Sequence, residues 1–225
     1  MEGKLVEQTP MRTAIARHMS ESKRHVPHFY VQTEVHMDPA LEDLRRRNQG
    51  APTARISVTA ALVRACVEAL RAHPTFNGVW TEEGPLEVAE INVGIAVALE
   101  DGLLAPALLN ADRLSLAELA VALDNLAERA RTKRLTAREM SEATFTLSNL
   151  GMFDVSAFTA IVPPPQLAIL ATARPVERWV FHEDAPACRS VMTATLSADH
   201  RAVDGAAAAR FLQTFKSTLE DVALA

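Results

Sequence analysis

Four strand-like runs crowd the stretch from Ala143 to Ser197: ATFTLS, QLAILATA, ERWVFH and CRSVMTATLS. So many strands must pair laterally and bury at least one face, and the rest of the chain supplies helices that can do the covering. SVTAALVRACVEALRAHP, from Ser57 to Pro74, reads as a long amphipathic helix with a serine cap and a proline stop. SLAELAVALDNLAERARTK, from Ser115 to Lys133, is another, with Arg and Lys in the last turn, where the helix dipole favours them. A third runs from Asp204 towards Val222. Near the N-terminus Met11, Ile15 and Met19 recur every four residues behind Thr9 and Pro10, a cap and a first-turn residue.

Shorter signals fill the gaps. FYVQTEVHM, from Phe29 to Met37, alternates apolar and polar residues and reads as a half-exposed strand. EINVGIAVAL and GLLAPALL read as two buried strands separated by a turn at Glu100, Asp101 and Gly102. Pro163 to Pro165 form a rigid turn into a strand. Helices and strands interspersed over 225 residues predict one mixed α/β domain. The chain is 48% hydrophobic but only 5% aromatic, so its core must be built mostly from Ala, Leu and Val.

The net charge of −5 offers no electrostatic reason to bind nucleic acid or an acidic membrane surface. No apolar run is long enough to cross a membrane, and the polar N-terminus is no secretory signal. Two cysteines, Cys66 and Cys188, show no zinc-ligand spacing, and Cys66 sits in an apolar helical pattern as a buried thiol. A cytoplasmic protein without metal is expected.

The stretch SADHRAVDGAAAARF admits two readings. In the plain one Asp204 caps the helix starting at Gly205, and His200 is an ordinary turn residue. In the other, His200 is a base. SADHRAVDG closely resembles the DHRxxDG signature of the dihydrolipoamide acyltransferases, the core components of 2-oxoacid dehydrogenase complexes. TFTLSNLGMFDVSAFTAIVPPPQLAIL (Thr144 to Leu170) is similar to that family's TFTISNLG…PPQxAIL segment. RTAIARHMSESKRHVPHFY, HPTFNG and DGLLAP resemble further elements of it, in the same order. The likeness runs from about residue 9 to residue 222.

The resemblance implies an α/β sandwich related to chloramphenicol acetyltransferase, a mixed sheet with packed helices. It divides the chain into an extension at 1–8 and a catalytic domain at 9–225, without lipoyl or peripheral subunit-binding domains. The implied reaction moves an acyl group, acetyl by preference, between coenzyme A and dihydrolipoamide, as in the pyruvate dehydrogenase complex. A free thiol, with a pKa of about 8.5, is mostly protonated at neutral pH, so a base must take its proton as the sulfur attacks. His200 matches the family's base, and histidine suits the task because it titrates near 6.5. Ser148 matches the hydroxyl that stabilises the tetrahedral oxyanion. Asp204 would pair with an arginine of the first helix, Arg12 in preference to Arg17, and orient the loop that carries His200. Asn149, Leu103 and Leu104 are candidates for contact with substrate or coenzyme A. His18, His25, His28, His36, His73 and His182 are read as solvated or structural.

Partners follow from the same likeness. They are a homotrimer with its active site at the subunit interface, a larger core of 24 or 60 chains, other dehydrogenase-complex subunits, and a lipoyl domain acting in trans. The short C-terminal LEDVALA departs from the family's leucine-rich tail, which puts the larger core in doubt. Ala98 stands at the family's usual aspartate position, so acyl or thiol specificity is expected to differ there. Two alternatives stay open: a non-catalytic structural core, and a coenzyme A-dependent transferase with another small acceptor.

Overall fold

The computed structural model describes residues 3–50, 54–99, 102–182 and 185–224; Glu100 and Asp101, expected at a turn, lie outside these. Helix α1 (Pro10–His25) begins as expected, with Thr9 accepting the Arg12 N–H. It feeds strand β1 (His28–His36), which leads into helix α2 (Asp38–Gln49) and, after the Ser57 cap, helix α3 (Val58–Ala72). Strands β2 (Gly78–Thr81) and β3 (Gly84–Glu87) form a hairpin. Four short strands follow: β4 (Val93–Ile95), β5 (Val97–Leu99), β6 (Gly102–Leu104) and β7 (Ala107–Leu108).

Helix α4 (Leu116–Arg131) and the short α5 (Ala137–Ser141) each open on a capping box, Ser115 with Glu118 and Thr136 with Glu139. Strands β8 (Phe145–Asn149), β9 (Ala168–Thr172), β10 (Val176–His182) and β11 (Ala185–Asp199) correspond to the four crowded runs. Helix α6 (Gly205–Glu220), capped by Asp204, is the last regular element, and Leu224 beyond it is buried in the core.

One seven-stranded sheet carries the molecule, in the order β1-β11-β9-β8-β4-β7, with β10 paired to the early part of β11. It is mixed: β8 runs parallel to β4 and β9, and the remaining pairs are antiparallel. Cross-strand register sorts the side chains. Val31, Leu196 and Leu170 lie on one face with Val35, Met192, Ala194, Ala198 and Leu147. That face meets the buried sides of α3 and α6. Phe211 of α6 packs at 4.8 Å from Phe76 and 5.5 Å from Phe145. Burying each such ring contributes about 1.5–3 kcal/mol.

The opposite face is polar yet buried at Thr146, Thr195, Ser197 and Asp199. Its cover is fastened by hydrogen bonds around Val162. Ser22 Oγ donates to the Val162 carbonyl at 2.6 Å, and the Val162 N–H donates to His28 Nε2 at 3.0 Å.

Three elements were not anticipated: α2, α5 and the β2–β3 hairpin. EINVGIAVAL also differs from its reading as one strand. Its first part joins the main sheet, while β5 pairs with β6 in a separate ribbon. The break falls at Ala96, whose N–H goes to the Leu147 carbonyl at 3.1 Å before the chain leaves the sheet.

Candidate active site

Ser148 is the penultimate residue of β8, paired with Ala171, which pairs in turn with Thr195. His200 follows the last residue of β11, beyond the pairing of Asp199 with His28. The two candidates therefore sit at opposite ends of one sheet. Strand geometry separates them by about 16 Å along the strands and about 10 Å across them. Proton transfer and oxyanion stabilisation need contacts of about 3 Å. Within one chain these side chains cannot serve the same carbonyl.

The turn bearing His200 is tightly held. Its backbone N–H donates to the Pro27 carbonyl at 3.1 Å, and its ring lies 4.5 Å from that of Phe29. The ring is exposed, as a base that meets an incoming substrate must be. Asp199, fully buried, accepts hydrogen bonds from the Arg201 backbone N–H at 3.0 Å, from Nε at 3.0 Å and from Nη2 at 2.6 Å. Sequence reading passed over Asp199 and Arg201, although both belong to the DHR triplet.

His28 beside this turn is structural, as expected. Because the Val162 N–H occupies Nε2, the proton sits on Nδ1 and is donated to the Val26 carbonyl at 2.8 Å. Burial is the main influence holding its pKa below 6.5. Lys23 adds to that, while the Val26 hydrogen bond and Asp199 oppose it.

The expected ion pair is corrected. The Asp204 carboxylate accepts the Ala207 N–H at 2.8 Å as a helix cap. Among the described residues, no ion pair joins it to Arg12 or Arg17, and both arginines are exposed. The path of α1 explains this. Gly102, with φ at +155°, lets Ile15 and Met11 lie directly against it, so the first half of α1 packs on the β5–β6 ribbon. The plain reading of Asp204 as a cap holds.

Ser148 opens onto a cavity of about 400 Å³. Apolar side chains dominate its wall, including Ala98, Leu103, Leu147, Met152 and Phe153, with Asp124 and Arg131 at α4. Ala98 and Leu103 are cross-strand partners on its wall; Leu104, the next residue along, is not among the residues that line it. Asn149 borders it, but its side chain is already engaged. It accepts the Gly151 N–H at 2.8 Å and donates to Thr59 Oγ1 at 3.1 Å.

Residues 2–225 match the family model of the 2-oxoacid dehydrogenases acyltransferase catalytic domain. The chain belongs to this acyltransferase family. Among curated members, the dihydrolipoyllysine-residue acetyltransferase component of the pyruvate dehydrogenase complex of Rickettsia felis is 36% identical over 226 residues, which cover 99% of this chain and 55% of that protein. The chain thus spans about half the length of the curated relatives it matches. The dihydrolipoamide acetyltransferase of Azotobacter vinelandii superposes with a TM-score of 0.94 at 33% identity, covering 98% of this chain and 93% of that one. Its structure was studied for the role of a serine, a histidine and an asparagine in catalysis. The intervals between those three equal the intervals between Ser148, His200 and Asp204 here. The cubic core of a pyruvate dehydrogenase multienzyme complex superposes at 0.92, with 33% identity over 98% of this chain and 93% of that one. Chloramphenicol acetyltransferase, 14% identical, superposes at 0.58 over 90% of this chain and 94% of its own length, and shares the fold. The acyltransferase family's α/β sandwich is the architecture observed.

Proposed function

We propose that this domain transfers an acetyl group between coenzyme A and a dihydrolipoyl thiol, in a site shared by two copies of the chain. The placement of Ser148 and His200 at opposite ends of one sheet carries the proposal. Each is accessible, and each lacks its counterpart within its own chain. Closing a ring of chains would bring His200 of one copy to Ser148 of the next, and the ring that the family resemblance implies is a homotrimer.

The imidazole of His200 takes the proton of the attacking thiol as its sulfur bonds to the thioester carbonyl carbon. The carbonyl oxygen becomes an oxyanion, to which the Ser148 hydroxyl donates a hydrogen bond. Collapse breaks the original carbon–sulfur bond, and the departing sulfur receives the proton from the imidazolium. The transfer needs no metal, and the base returns to its starting state. The largely apolar cavity at Ser148 suits a thiol-bearing arm, whether of coenzyme A or of a lipoyl group presented by a lipoyl domain in trans.

Acetyl transfer from acetyl-CoA to free dihydrolipoamide tests the assignment. His200→Ala is expected to lower kcat by about 10²–10⁴-fold, the usual contribution of a positioned base. Wild-type turnover in that variant would remove His200 from the mechanism.

A further inference from the structure

We propose that Trp80 is a positioning residue for His200, acting through Arg201 and Asp199; this rests on the reading of His200 as the base. Trp80 lies more than a hundred residues away in the chain, on the β2–β3 hairpin, outside the main sheet. Its ring nevertheless lies under the Arg201 guanidinium, whose central carbon is 3.9 Å from the ring centroid.

The arrangement brackets His200 from both sides in sequence. The residue before it supplies a buried carboxylate, and the residue after it donates to that carboxylate through backbone and side chain together. Such a closed loop across one residue holds only while the guanidinium stays in the plane that serves both carboxylate oxygens. Arg201 retains 33% side-chain exposure, so water competes for it. The indole covers one face of the guanidinium and favours the paired rotamer over a solvated one.

The backbone that carries the indole is fastened. The Trp80 backbone N–H donates to the Pro165 carbonyl at 2.6 Å, and Val79 bridges to Gln166. Gln166 accepts the Thr146 hydroxyl at 2.7 Å, which anchors this corner to the polar face of the sheet. The ring under Arg201 is thus held by backbone contacts on a hairpin, while Phe29 flanks His200 directly. Loss of the indole frees Arg201, loosens the turn and displaces the imidazole. The chemical step slows, because a small misplacement of a reacting group is costly even when binding is intact.

The test uses the full chain in its assembled form, with acetyl-CoA and dihydrolipoamide as substrates. Trp80→Ala is expected to lower kcat about tenfold while both KM values stay within about twofold. Trp80→Phe restores an aromatic face and is expected to recover kcat to within about threefold of wild type. The double variant Trp80→Ala with Arg201→Met is expected to be no slower than Arg201→Met alone, since both substitutions break one linkage. Where Trp80→Ala does not fold, Trp80→Leu replaces it, keeping apolar bulk without the aromatic face and carrying the same expectations.

Unchanged kcat, a loss confined to KM, failure of Trp80→Phe to recover, or multiplicative losses in the double variant would each overturn the proposal. His200→Ala separates the two claims. Full activity there defeats the base assignment, whereas a dead His200→Ala beside a wild-type Trp80→Ala defeats the positioning role alone.

Discussion

The Nε2 of His28 accepts the Val162 N–H at 3.0 Å, joining the start of the first strand to the segment over the sheet's polar face. Only a neutral imidazole can accept this bond, and burial holds the His28 pKa below 6.5 in the folded chain. An unfolded histidine titrates near 6.5. Above that pH both states are neutral and the full stabilisation is present. As pH falls through 6.5 towards the lower folded value, the unfolded chain takes up a proton that the folded one refuses, and stability declines. His73, whose pKa is lowered by burial and by Arg210, adds in the same direction. Urea unfolding at pH 7.5 and 5.5 should show this loss, and His28→Gln should lose less between the two values. An identical pH slope in the variant would deny His28 its part.

The separation of Ser148 and His200 makes a subunit-mixing experiment decisive. His200→Ala and Ser148→Ala chains are each expected to be nearly inactive alone. Assemblies formed from an equal mixture should regain about a quarter of wild-type activity, because each site draws its histidine and serine from different copies at random. Mixtures no more active than their parents would place both groups in one chain's site.

Asp204 works as a cap. Asp204→Ala should cost about 1 kcal/mol, the usual worth of an N-cap. In a domain of this size that lowers the Tm by about 2–4 °C. Asp204→Asn keeps an oxygen for the Ala207 N–H and should retain most of the stability. Arg12→Ala should leave the Tm unchanged, and a matching, non-additive loss in Arg12→Ala would instead reveal an ion pair.

Ala98 shapes the cavity at Ser148. Ala98→Leu fills part of that space without touching the reacting groups. It should raise KM for acetyl-CoA or for dihydrolipoamide by about fivefold and leave kcat within about twofold, the pattern of lost ground-state binding. Steady-state kinetics with each substrate varied in turn reads the effect directly, and unaltered KM values for both would place the substrate arm elsewhere.

Local signals account for what was legible in advance. Thr9, Ser57, Ser115 and Asp204 each accept from the first turn of a helix, contacts that span three residues and can be read from neighbours. The four strands from Phe145 to Asp199 follow from their β-branched and apolar runs. Helix α2 escaped because its apolar face is short, limited to Ala40, Leu41 and Leu44. It buries Ala40, Leu44 and the charged Asp43, which is neutralised by Arg46 and by Arg47 at 2.6 Å. A charge satisfied on its own helix leaves no mark in hydrophobic periodicity. EINVGIAVAL looked continuous because its composition says nothing about where Ala96 hands the chain from one sheet to another.

By itself, then, the sequence determined the capped helices, the strand-rich C-terminal half, the family, and the candidacy of Ser148 and His200. Tertiary structure alone decided that these two stand at opposite ends of a sheet, that Arg12 lies away from Asp204, and that Trp80 reaches Arg201. Caps and periodicities are interactions between near neighbours and are written in adjacent letters. Strand register, the path of α1 over Gly102 and the stacking of Trp80 on Arg201 depend on chain segments brought together by burial of the core, a sum over many residues that no short stretch encodes.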